Sequence, residues 1–188
     1  SPLARYNTER HSGDISRLPL AGPFGMPMLN LPPAVWATAA RRFERELSAW
    51  KRGSRVIAIA QVTPRKGESF SQADVVELAL MQVSERWIPV DSDYEGVIEA
   101  MLHAAGRSFD KPLRYDADES EVFPDFWLLD TGKDYPLEVF GMSTPAYLER
   151  KAVKTAWYNR EYGGAGWWSW NAAADPKGRN IPPFPAKS

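Results

Sequence analysis

Between Phe123 and Gly141 two short apolar runs, Phe123–Asp130 and Tyr135–Gly141, flank the turn-forming residues Thr131, Gly132, Lys133 and Asp134. Runs of this length and composition, separated by Gly and Asp, predict a β-hairpin. Within each run one acid, Asp125 or Glu138, sits in apolar surroundings that strip water from it, while Asp130 lies at the edge of the turn. If residue 130 stands opposite 135, Asp125 faces Phe140 and Glu138 faces Trp127. Strand alternation then puts Asp125, Trp127, Glu138 and Phe140 on one face. Two carboxylates brought together there repel each other and lose hydration, so they call for a compensating cation. A divalent metal with oxygen ligands meets that need. If both acids instead lie at frayed strand ends, they stay wet and need nothing.

The rest of the chain divides around this hairpin. Residues 1–33 are rich in Pro and Gly and lack periodicity, which predicts an extended arm over the body or a linker. Trp36, Ala40, Phe43, Leu47 and Trp50 recur at helical spacing, with Pro33 at the start and Gly53 past the end, so 33–50 reads as one helix. Its Arg41, Arg42, Glu44, Arg45 and Glu46 face reads as solvated. Arg55–Val62 is a β-branched strand, Pro64–Gly67 a turn, and Val75–Val83 a strand by its alternation, although a helix is the other reading. Residues 1–90 form an N-terminal subdomain without chemistry of its own. Beyond it, Asp91, Ser92 and Asp93 cap a helix from Tyr94 to Ala105. A strand over 109–115, an acidic loop over 116–121, the hairpin, and a helix over 146–162 follow. On that last helix Tyr147, Lys151, Lys154 and Tyr158 share a face, while Ala152, Val153 and Ala156 suit packed sides. Gly163–Gly166 ends it, and Trp167–Asn171 is the last strand, with Trp168 and Trp170 facing opposite to Trp167. Large aromatics there fill a core; the alternative is a stacked, unpaired base.

The residues Pro124–Asp125, a gap of twelve, and Glu138–Val139–Phe140 resemble the motif of the PD-(D/E)XK nuclease superfamily. The resemblance runs over about residues 91–171. FPDFWLLD, PLEVFGM and YLERKAVK also resemble the C-terminal part of an uncharacterised bacterial protein family associated with mobile elements. The resemblance implies an α/β fold with a restriction-endonuclease-like core (helix, three strands, helix, strand, in a mixed central sheet) over 91–175. Residues 1–90 would be an N-terminal extension and 176–188 a loop tail. It further implies a metal-dependent nuclease that hydrolyses DNA phosphodiester bonds, in the maintenance or transfer of a mobile element. Magnesium or manganese would be held by Asp125, Glu138 and Glu95, with Glu99 second to Glu95, and by a backbone carbonyl near Val139. The motif's usual lysine is replaced by Phe140. Lys154 on the following helix is the candidate substitute and Lys151 the second, with Lys154 and Tyr158 at the spacing of a helix motif of exonuclease branches. Arg150, Lys151, Lys154 and Tyr158 would contact DNA. The alternative is a catalytically inactive module of the same fold that binds nucleic acid or protein.

Bulk properties narrow the remaining choices. The formal net charge of −1 offers no global attraction to nucleic acid, so any such binding must be local. The absence of cysteine excludes disulfides, zinc–thiolate sites and thiol catalysis, and two histidines give little support to an imidazole cage. No run is long enough to span a membrane and no secretory pattern opens the chain, which leads to the expectation of a cytoplasmic protein. An upstream domain, or conjugation or integration machinery, is an expected partner.

Overall fold

Proline at a helix start, β-branched strands and glycine at turns shape most of the elements. The computed structural model describes residues 1–12, 15–21, 28–65, 72–113 and 123–188. The turn expected near 64–67 lies partly outside them. So do Arg114 and Tyr115 of the expected strand, and the acidic loop 116–121. The chain divides into two compact units, Ser1–Val90 and Asp91–Ser188.

In the first unit a short helix α1 (Thr8–His11) precedes strand β1 (Met28–Asn30), helices α2 (Pro33–Arg42) and α3 (Glu44–Lys51), and strands β2 (Arg55–Pro64) and β3 (Gln72–Val83). The single helix expected over 33–50 is therefore two. Phe43, at φ −119° and ψ 37°, breaks it, and α3 buries Leu47, Ala49 and Trp50 over a wider arc than a straight apolar stripe allows. Residues 55–64 and 72–83 pair antiparallel, which settles the helix-or-strand ambiguity at 75–83 for the strand. The arm is part of the sheet system rather than a linker. β1 adds to β3 in parallel, Leu3 N–H donates to Val56 O, and Leu3, Ile15, Leu18, Leu29 and Leu31 are buried. Each such side chain, fully buried, contributes about 1.5–3 kcal/mol.

The second unit runs helix α4 (Asp93–Ala104), strands β4 (Phe109–Asp110), β5 (Phe126–Leu128) and β6 (Tyr135–Val139), helix α5 (Pro145–Tyr162) and strand β7 (Trp168–Trp170). The order is thus helix, three strands, helix, strand. The sheet is mixed, β4-β5-β6-β7, antiparallel except for the parallel β6–β7 pair that α5 connects. Ile98, Leu102, Phe126, Leu128, Leu137, Trp168 and Trp170 form its core. Pro136 lies ahead of the β6 residues that β7 pairs, so its missing N–H leaves no gap in that ladder. Gly163, at φ 71°, ends α5, and a Cβ at Gly166 would stand 1.9 Å from Tyr162 O, so both positions need glycine.

Three expectations need correction here. The hairpin closes with Leu128, not Asp130, opposite Tyr135, a shift of two residues. Asp130 is withheld from the ladder because Arg107 grips its carboxylate (2.6–3.1 Å) and Ser108 N–H donates to it. Ala152, Val153 and Ala156 are exposed, Val153 by 70%, because α5 packs through its Tyr147–Tyr158 face instead. Residues 176–188 are no loose tail. Ile181 and Phe184 pack on the core, Trp168 Nε1 donates to Pro182 O, and Ser188 N–H donates to Asp130 O. Among the described residues no helix is long and apolar enough to cross a membrane.

Candidate active site

An even shift of register keeps side-chain parity, so the two acids still meet. Asp125 stands one residue before β5 and clips onto β6 twice. Its N–H donates to Leu137 O (3.0 Å) and its Oδ2 accepts from Val139 N–H (2.7 Å), so the two bonds straddle Glu138. Glu138, 4% exposed, is held from α5: Lys154 Nζ lies 2.5 Å from Oε1 and Tyr158 Oη donates to Oε2 at 3.1 Å. Asp125 keeps some accessible surface. Its carboxyl is nevertheless surrounded well enough that burial, and then the charges of Glu138 and Glu95, push its pKa well above the ordinary carboxylate value. Burial likewise raises Glu138, against the opposing pull of Lys154. Tyr158 is raised by burial and then by Glu138, so its phenol stays protonated and serves as a donor.

The shared face of α5 is real and fully engaged. Tyr147 Oη accepts from Gly141 N–H (3.3 Å), and its pKa is raised first by burial and then also by Glu138, Asp125 and Glu95. Lys151 Nζ stands 4.5 Å from the centre of the Phe140 ring, a cation–π contact. Lys154 was expected beside Phe140; Lys151 occupies that place, and Lys154 goes to Glu138. Tyr158, expected to touch DNA, is fully buried and can only orient Glu138. Arg150 is exposed, with its guanidinium 5.9 Å from the Tyr147 ring centre. Trp168 and Trp170 are buried in the core, while the half-buried Trp167 stacks on Tyr158 of α5 (4.8 Å, 19°) and its Nε1 donates to Asn159 Oδ1 (2.9 Å).

Glu95 is near the acid pair but occupied elsewhere. Glu95 closes the start of α4: its N–H donates to Ser92 Oγ (3.2 Å), its Oε1 accepts from Ser92 Oγ (3.3 Å) and its Oε2 accepts from Asp91 N–H (2.9 Å). Lys111 Nζ is 2.8 Å from the same oxygen, both side chains being under 9% exposed. Glu95 therefore acts on Asp125 and Glu138 through its charge, and the expected three-acid convergence reduces to a pair. Among the described residues no group of three His, Cys, Asp or Glu is placed to hold a metal together. Glu99, the second choice, is buried on α4, 1% exposed. Lys111 is the site residue that the reading of the sequence missed. Its signal was parity in the strand expected over 109–115, where it stands two residues after Phe109, which packs against the core.

The match to a family model covers residues 24–173, and the chain belongs to that family, DUF1173, described as a protein family of unknown function. No curated protein and no solved structure matches the chain.

Proposed function

We propose that the second unit is a metal-dependent nuclease with a restriction-endonuclease-like core, cleaving DNA phosphodiester bonds in the service of a mobile element. The observation that carries the reading is the desolvated Asp125–Glu138 pair, with Lys154 from α5 closed on Glu138 in place of the lysine that Phe140 replaces. An acid pair whose charge Lys154 compensates only in part suits a divalent cation, and Asp125 and Glu138 would hold it. Bound there, magnesium or manganese supplies charge neutralisation at the phosphate and a more acidic water.

The side chains of the unit divide the remaining work. Tyr158 fixes the orientation of Glu138 by donating to Oε2, and Asp125 is fixed by Val139 N–H. Lys154, 28% exposed as a side chain, is the cation able to turn from Glu138 toward an entering phosphate. Arg150 and Lys151 lie one turn away, where they would meet the flanking backbone. A second reading, a silent binding module of the same fold, is favoured by the Lys154–Glu138 ion pair, which already neutralises one acid. Calorimetric titration with manganese and cleavage assays on single- and double-stranded DNA decide between them. The nuclease reading expects binding and cleavage, both lost in Asp125→Asn. Failure of the wild-type protein to cleave with either metal overturns it.

A further inference from the structure

The first unit carries one backbone feature that its fold does not require. Gly53, Gly106, Gly132, Gly163 and Gly178 all adopt positive φ, and among the described residues a single non-glycine joins them, Trp87 at φ 67°. That region is unfavourable for a bulky side chain. The turn over-determines it. Ser84 N–H donates to Ile88 O (2.8 Å), Trp87 N–H donates to Ser84 O (3.0 Å), and Ser84 Oγ accepts from Arg86 and Ile88 N–H. Glycine would satisfy the same bonds without strain. The indole is also not there for the core, since Trp87 is 49% exposed.

What surrounds the ring gives it a use. The Arg55 guanidinium sits 5.0 Å from the ring centre, and Arg55 is also paired with the carboxylate of Glu85, which is 73% exposed. Beside them opens a cavity of about 560 Å³, lined by Arg5, Tyr6, Trp50, Gly53, Arg55 and Trp87 among others, a size suited to a small organic group. A flat aromatic surface, the Arg55 guanidinium with Arg5 on the same lining, and an open cavity match an aromatic base carrying a phosphate, with Glu85 on the lining as the carboxylate to be displaced. We infer that Trp87 and this cavity bind an unpaired nucleotide of single-stranded nucleic acid, the base stacking on the indole and the phosphate replacing Glu85 on Arg55.

The inference is independent of the nuclease reading, and a test in EDTA keeps the two apart. Fluorescence anisotropy of a labelled oligothymidylate with the full chain should show binding that a duplex of equal length competes for poorly. Trp87→Gly should weaken it about tenfold or more while raising Tm, since the strain is relieved as the stacking is lost. Trp87→Asn, which tolerates positive φ, gives the same readout should the glycine variant fail to fold. Arg55→Gln should lower the slope of log affinity against log salt by about one. Wild-type affinity in both Trp87 variants, equal competition by duplex, absence of binding by the wild type, or saturation by free thymidine monophosphate at the same concentration would each overturn the inference.

Discussion

The two units differ less in their apolar cores than in what else they bury. The first surrounds Leu31, Ala39, Trp50, Val56 and Val75 with other apolar side chains, and among the described residues its buried polar ones, Gln82 and Ser84, are uncharged. The second buries Glu95, Glu99 and Glu138 beside a comparable core. Burying an acid is unfavourable unless a partner repays the lost hydration, and Lys154 and Lys111 do so only in part, as the raised Asp125 and Glu138 show. The difference teaches where the fold holds charge at a cost in stability, and that cost is the ground on which the acid pair is proposed as a site.

The largest expected effect sharpens this contrast most. Asp125→Asn keeps an acceptor for Val139 N–H but removes the repelled charge, so it should abolish cleavage by about 10³-fold or more. The same change should stabilise the second unit by about 0.5–2 kcal/mol at pH 8. A loss of stability in chemical denaturation would show that the acid is structural. Lys154→Met leaves Glu138 without its cation and should cost about 3–5 kcal/mol at pH 8, and less at an acidic pH, where protonation removes the charge that Lys154 compensates. Equal cost at both pH values would break the assignment of Glu138 as the charged partner.

Smaller effects test the frame around the acids. Arg107→Ala removes the grip on Asp130 and the bond to Pro185 O, and should cost about 1.5–3 kcal/mol and raise protease sensitivity over 176–188. Tyr158→Phe should cost about 1 kcal/mol and reduce turnover by weakening the orientation of Glu138, with wild-type metal affinity retained. The pH dependence is the most delicate comparison. Asp125 and Glu138 have raised folded values, so the stability tied to them is complete below the ordinary carboxylate range and falls as pH rises through those values. Asp130 runs the other way. Arg107 lowers it to about 2, so its contribution is present above the ordinary value and lost as pH falls toward 2. Hydrogen exchange over 126–139 should therefore quicken, relative to 55–64, as pH rises from 5 to 8 after correction for intrinsic rates. Parallel behaviour of the two segments would contradict the contrast.

Local chemistry in the sequence determined much of this. Alternation and turn residues marked strands at 55–62 and 75–83, which the structure extends to 55–64 and 72–83, and marked the hairpin; helical spacing marked the shared face of α5. Asp91, Ser92 and Asp93 marked a helix cap, and hairpin parity brought Asp125 and Glu138 together because any even register shift preserves it. The tertiary structure decided what depends on contacts between residues far apart in the chain. Arg107, 23 residues from Asp130, shifts the hairpin register, and the burial of Ala49 accompanies the helix break at Phe43. The choice between two lysines four ångströms or so of helix rise apart was likewise a packing matter: Phe140 draws Lys151 while Glu138 draws Lys154. Pattern along the chain specifies which face a side chain takes. Which partner it meets there is set by the competition among groups that only folding brings within reach.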